Sequence, residues 1–212
     1  VITLVPPRST KNLLERASAA YQSQLVGSPG ESHLLERGIT KETIERFRLG
    51  FVDSPLLGDE RFYGRISIPY QTVTGIVSIR FRVTTATKTE TTKKYLSSAG
   101  DPGRPFNVQS LDRINKICYL TEGEMDAIIL DQMGLTSIGI PGAQAWNPIF
   151  GRILRHRNVV LLADGDKAGR ELADTVGKQT RIKVVSMPAD EDVNSMYLNL
   201  GADKFLEWIT TE

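Results

Sequence analysis

The chain has 212 residues, 40% hydrophobic and 24% charged, with a net charge of +1. That composition suits one large globular domain or two small ones and excludes an extensively disordered chain, while the longest apolar runs, Ile117–Leu120 and Val159–Ala163, fall far short of the roughly 20 residues of a membrane span. A single cysteine, Cys118, excludes an internal disulfide or multi-cysteine zinc module, and no basic segment followed by an apolar one opens the chain, so a cytoplasmic protein without membrane contact is expected.

Residues 11–25 set Leu13, Leu14, Ala17, Tyr21 and Leu25 near one helical face. Ser28-Pro29-Gly30-Glu31 reads as a capping box opening a short helix that stops at Gly38. Thr40 then caps a third helix, with Ile39 and Ile44 spaced as a staple across the cap. After Gly50 the period changes to two. Ile66 and Ile68, then Val77, Ile79, Phe81 and Val83, predict a β-hairpin turning at Thr74-Gly75, with Arg80 and Arg82 on one face of its second strand. Thr84–Thr92 lacks an apolar period and reads as a mobile loop. From Arg61 to Lys116 there are ten basic residues against three acidic ones, a distribution suited to a polyanion.

From Ile114 the pattern becomes strand–helix alternation. Strands are predicted at Ile117–Thr121, Thr136–Ile140, Val159–Ala163 and Ile182–Ser186, with helices around Met125–Met133, Trp146–Leu154 and Lys167–Val176. Gly177 is a candidate residue just past the last of these helices, and two more follow near Val193–Leu198 and Ala202–Ile209. Apolar strands with short connections imply an α/β module built on a mostly parallel, helix-covered sheet, preceded by a smaller α+β subdomain. The boundary is placed near residue 115, giving units 1–115 and 116–212.

The acids gather where strands end. Glu122 follows the first strand of this module, and Asp126 lies four residues on, where the first helical turn can direct it back to the same edge. Asp164 and Asp166 flank a glycine after the third strand, and Asp190, Glu191 and Asp192 follow the fourth. Parallel sheets place ligands outside the carboxyl ends of their strands, so the three acidic loops are expected to converge. Carboxylates that close repel one another and call for a divalent cation. Two such ions about 3.5–4 Å apart could serve an attacking oxygen and a pyrophosphate leaving group. Any one of these acids taken alone has an equally simple role as a helix cap. Glu124 and Asp190 are expected to be solvated or accessory; His33 and His156 to pack or face solvent; Cys118, Trp146 and Trp208 to be structural.

Thr121-Glu122-Gly123-Glu124-Met125-Asp126-Ala127, paired with Leu161-Leu162-Ala163-Asp164-Gly165-Asp166-Lys167-Ala168-Gly169-Arg170, resembles the toprim domain shared by primases, topoisomerases and some nucleases. Upstream, Leu34–Thr40, Phe47–Phe51, Arg65–Tyr70, Phe81–Val83 and Lys93–Ser98 resemble the catalytic core of bacterial and phage DNA primases, over about residues 30–200. The resemblance implies catalytic roles for Glu122, Asp126, Asp164 and Asp166, and metal ligation by Asp164, Asp166, Asp192 and Glu122. Asn194 departs from the pattern, standing where many relatives carry an aspartate.

Such a core would make RNA primers on single-stranded DNA from ribonucleoside triphosphates, with Mg²⁺, or Mn²⁺ as a substitute, in a bacterial or phage-infected cytoplasm. Arg80, Arg82 and Lys94, with Lys167 and Arg170 nearer the acids, are the expected phosphate contacts. The zinc-binding and helicase modules usual in such primases do not fit in 212 residues. The chain is therefore expected to be an excised piece, or to borrow those functions from a separate zinc-binding module and a replicative helicase. A toprim nuclease using the same acids on water, and a non-catalytic DNA-binding replication module, are the alternatives.

Overall fold

The computed structural model describes residues 4–113, 117–142, 145–155, 157–179 and 182–211. The chain divides into two compact units, one reaching Pro102 and the other starting at Gly103. This break precedes the position near 115 expected from the pattern change, because the intervening segment already belongs to the second unit. Phe106 and Gly139 exchange backbone hydrogen bonds of 2.8 and 3.2 Å, and the 3₁₀ turn Val108–Asp112 packs beside the strand containing Gly139.

The first unit contains α1 (Arg8–Gln22), α2 (Pro29–Glu36), α3 (Lys41–Arg46) and an antiparallel sheet in the order β1 (Gly50–Phe51), β2 (Arg65–Thr72), β3 (Gly75–Val83), β4 (Tyr95–Ser97). Ser28 Oγ accepts from the Gly30 and Glu31 amides, whereas Glu31 reaches past the cap to accept from Gly27 at 2.7 Å. Thr40 caps α3, and Ile39 and Ile44 are both buried. α1 ends before Leu25, and Leu13 is exposed. Its Tyr21 enters a core in which Phe62 and Phe81 stack with centroids 3.8 Å apart. Both faces of β3 are covered: Ser78 and Arg82 are buried beside their neighbours, Ser78 donating to Asp101. Residues 84–92 carry no strand but are tied down, with the Thr87 hydroxyl donating to the Gly64 carbonyl.

The second unit is built on a parallel sheet in the order β6 (Thr136–Gly139), β5 (Ile117–Thr121), β7 (Asn158–Ala163), β8 (Lys183–Ser186). α5 (Pro148–Leu154) and α6 (Lys167–Gln179) pack on the face carrying Cys118, Leu120 and Leu161. α4 (Glu124–Gln132) lies on the opposite face, where Ser137 Oγ donates to the Ala127 carbonyl, and it also packs against α7 (Val193–Leu200). The last helix, α8, spans Ala202–Thr211. Gly177 does not end α6, which runs on to Gln179. Trp146 and Trp208 are only partly buried, and His156 lies outside the described residues.

Candidate active site

Neighbouring strands β5 and β7 are followed by helices on opposite faces, α4 and α6, so the loops leaving them diverge at their carboxyl ends. That is the crevice in which open α/β sheets place ligands. Glu122 directly follows β5, and Asp164 directly follows β7. The loop before α7 is fastened to the β7–α6 turn: the Gly165 amide donates to the Glu191 carbonyl at 2.9 Å, and the Met187 amide donates to the Ala163 carbonyl at 2.8 Å. A Cβ on Gly165 would stand 1.7 Å from the Pro188 carbonyl oxygen, and one on Gly169 would stand 2.2 Å from that of Asp164. Glycine at 165 lets the two acidic loops meet, and glycine at 169 lets α6 start close against the Asp164 turn.

Burial, and then the charges of Asp126, Glu122, Asp192 and Asp166, push the Asp164 carboxyl up to about 8. Four acids, from the segments after β5, β7 and β8, therefore act on Asp164. Three of them have structural engagements as well. Asp166 Oδ1 accepts from the Gly169 amide at 2.8 Å in the first turn of α6. Asp192 forms a capping box with Ser195 at α7. Buried Asp126 accepts from the Asn194 amide at 3.2 Å. Asn194, where the resemblance expects an acid, thus holds Asp126 with its backbone. Glu124 is buried rather than solvated, because α4 is enclosed by the sheet and α7, whereas Asp190 is exposed as expected.

Among the described residues, no three His, Cys, Asp or Glu side chains are placed to hold one metal ion together. Asp164 Oδ1 is nevertheless buried without a hydrogen-bond partner, and the donor set is all hard carboxylate oxygen. That fits Mg²⁺ or Mn²⁺, since Mg²⁺ commonly binds through one or two carboxylates completed by water and substrate phosphate. Arg170 donates to the Gly165 carbonyl at 3.3 Å, beside the acidic turn. Lys167 is well exposed and lies 3.7 Å from Glu171.

In the first unit, Arg80 and Arg82 do share a face, and Tyr95 explains their placement. Opposite Arg82 on β4, its ring lies 4.4 Å from the Arg80 guanidinium and 5.3 Å from that of Arg82, with Lys94 Nζ at 6.0 Å. Arg82 is 6% exposed and donates to the Tyr95 hydroxyl at 2.5 Å. The sequence reading missed Tyr95, although a tyrosine next to Lys93-Lys94 is the available signal. Part of the basic excess is structural: Arg61 and Arg65 bind the backbone of Ser97 and Lys93, and Arg113 pairs with buried Asp131 at 2.8 Å.

A Toprim-like family model matches residues 119–197, the stretch from β5 into α7. The Gene 57 protein of Mycobacterium phage D29 is 37% identical over 155 residues, covering 70% of this chain and 99% of that protein. The DNA primase of Haemophilus influenzae is 26% identical over an alignment covering 95% of this chain and 42% of the primase, so the chain spans about two-fifths of that relative's length. Among solved structures, a DnaG primase catalytic domain bound to single-stranded DNA aligns with a TM-score of 0.75 at 20% identity, covering 96% of this chain and 81% of that one.

Proposed function

Because this chain belongs to the family of Toprim-containing catalytic cores homologous to the RNA polymerase domains of DnaG-type primases, we propose that it joins ribonucleotides on a single-stranded DNA template. The observation that carries this reading is the fastening of the acidic segments to one another: the Gly165 amide donates to the Glu191 carbonyl, tying the turn after β7 to the loop before α7, and the Asn194 amide donates to Asp126, tying α7 to α4. Toprim domains are generally metal-dependent, and Asp164, Asp166, Glu122 and Asp192 would hold Mg²⁺, which when bound supplies positive charge opposite the triphosphate. Glu122 stands at the strand edge, where it serves the attacking 3′-hydroxyl by taking its proton or by sharing the cation. The oxygen then bonds to the α-phosphorus of the incoming nucleotide, and pyrophosphate leaves with the broken bond's electron pair. Asp126, fixed by α7, keeps the crevice anionic, and Arg170 lies where it can meet a phosphate.

Arg80, Arg82 and Lys94 form the proposed template contact in the first unit, arranged around Tyr95. A separate zinc-binding module and a replicative helicase are the proposed partners. Incubation with single-stranded DNA, labelled ribonucleotides and Mg²⁺ or Mn²⁺ tests the reading. New oligonucleotides that require both template and metal are expected. Strand cleavage without synthesis would select a toprim nuclease instead.

A further inference from the structure

A cavity of about 370 Å³ opens in the second unit on the α5/α6 face of the sheet. Its lining includes none of the five carboxylates, and Val159 near the start of β7 and Ile182 just before β8 place it toward the amino ends of these strands. Leu120, Leu154 and Val176 form a buried apolar floor. The wall carries Trp146, whose ring meets Phe150 edge to face at 5.9 Å. Arg152, Arg155 and Arg157 also line the space, the first two exposed, and among the described residues no acidic one joins them. Arg157 is anchored by donating to the Leu111 carbonyl.

Three guanidiniums around one void repel each other, and an anion relieves that repulsion. Guanidinium groups match phosphate oxygens in pairs, while an indole and an aliphatic floor suit a flat ring. The volume falls within the range of small-molecule sites, about 300–1,000 Å³. We propose that this cavity binds a mononucleotide, its base against Trp146 and its phosphates on Arg152 and Arg155, at a site separate from the carboxylate crevice. α6 contributes Val176 to the cavity and begins beside the Asp164–Asp166 turn, so an occupant would brace the helix behind the acidic site.

The chain has two tryptophans, so a Trp208→Phe background leaves Trp146 as the sole reporter. ADP is titrated in EDTA, where no cation can recruit phosphate to the carboxylates. Saturable quenching of Trp146 is expected. Arg152→Glu/Arg155→Glu should weaken binding at least about tenfold, since each charged hydrogen bond lost is substantial. Arg152→Gln/Arg155→Gln should weaken it less, and Asp164→Asn should leave it unchanged; circular dichroism monitors folding in every variant. Adenosine should bind far more weakly than ADP. Absence of saturable quenching, equal binding of adenosine, or wild-type affinity in the folded double-Glu variant would each overturn the proposal. So would quenching by a single-stranded oligonucleotide but not by ADP, which would make polymeric nucleic acid the occupant.

Discussion

Asp164 is buried beside four other acids, and its carboxyl is raised to about 8 by that surrounding. Asp164→Asn keeps the shape and, at a pH above that value where the parent carboxyl is ionised, removes one charge from the cluster. In EDTA at such a pH the variant should melt higher than the parent, by about 2–4 °C for each kcal/mol of repulsion relieved. Added Mn²⁺ should raise the melting temperature of the parent more than that of the variant. Calorimetry compares the four melts, and equal gains from the ion would remove Asp164 from the ligand set. Arg80 and Arg82 separate in a different way. Both should weaken single-stranded DNA binding when changed to Ala, each lowering the salt slope by about 1 if it holds a phosphate. Only Arg82→Ala should also cost about 1–3 kcal/mol of stability, because Arg82 is buried on the Tyr95 hydroxyl. Binding titrations at several salt concentrations, with urea melts, test the pair. The shared face of the two arginines was legible from the period-2 pattern of β3. Burial of Arg82 was not, since it depends on a strand whose lysine-rich flank carries no apolar alternation.

At the scale of elements, two glycines should respond with opposite signs. Gly165→Ala places a Cβ against the Pro188 carbonyl, so the fastened loops must separate, at about 1–3 kcal/mol or more. Gly177 lies within α6 with nothing within 4 Å of an added Cβ. Gly177→Ala should therefore stabilise by about 0.5–1 kcal/mol, the helix preference for alanine over glycine. Thermal melts of the two variants decide both. The second outcome also shows why the end of α6 was misplaced from sequence: glycine near a helix terminus signals a stop only when the backbone turns left-handed there. The parallel strands were legible because short apolar runs separated helical patterns. β4 was not legible, because three residues, held by Arg61 at Ser97 and by Arg65 at Lys93 just before them, have no period of their own.

For the molecule as a whole, the alternating α/β pattern exposed the second unit, and the carboxyl-edge rule pointed to the edge where β5 and β7 end without any contact being known. The division after Pro102 escaped because the linking of Phe106 to Gly139 is a long-range pairing with no local signature. Acid stability depends on a group that the sequence marked as one to pack or face solvent. His33 is buried and accepts from Arg37, and burial, then Arg37 and Arg82, lower its pKa from 6.5 to about 4. Between those values the unfolded chain takes the proton and the folded chain does not. Stability from His33 is complete above about pH 6.5 and is lost as pH falls toward 4. His33→Gln should flatten that part of the stability profile. Urea melts across the window check it, and an unchanged slope would rule out His33 as the source.

The first amides of α7 are held by acids of the crevice: Asn194 by Asp126 and Ser195 by Asp192. These two protons are therefore slow clocks for the site, readable by deuterium exchange without nucleotide, template or turnover. Cation binding lowers the repulsion that drives the loops apart, so Mg²⁺ should make their opening rarer and their exchange slower. Amides in the β2–β3 hairpin of the first unit should keep the same rate and serve as the internal standard. Identical exchange at Asn194 and Ser195 in Mg²⁺ and in EDTA would mean that this helix cap and the ion are uncoupled.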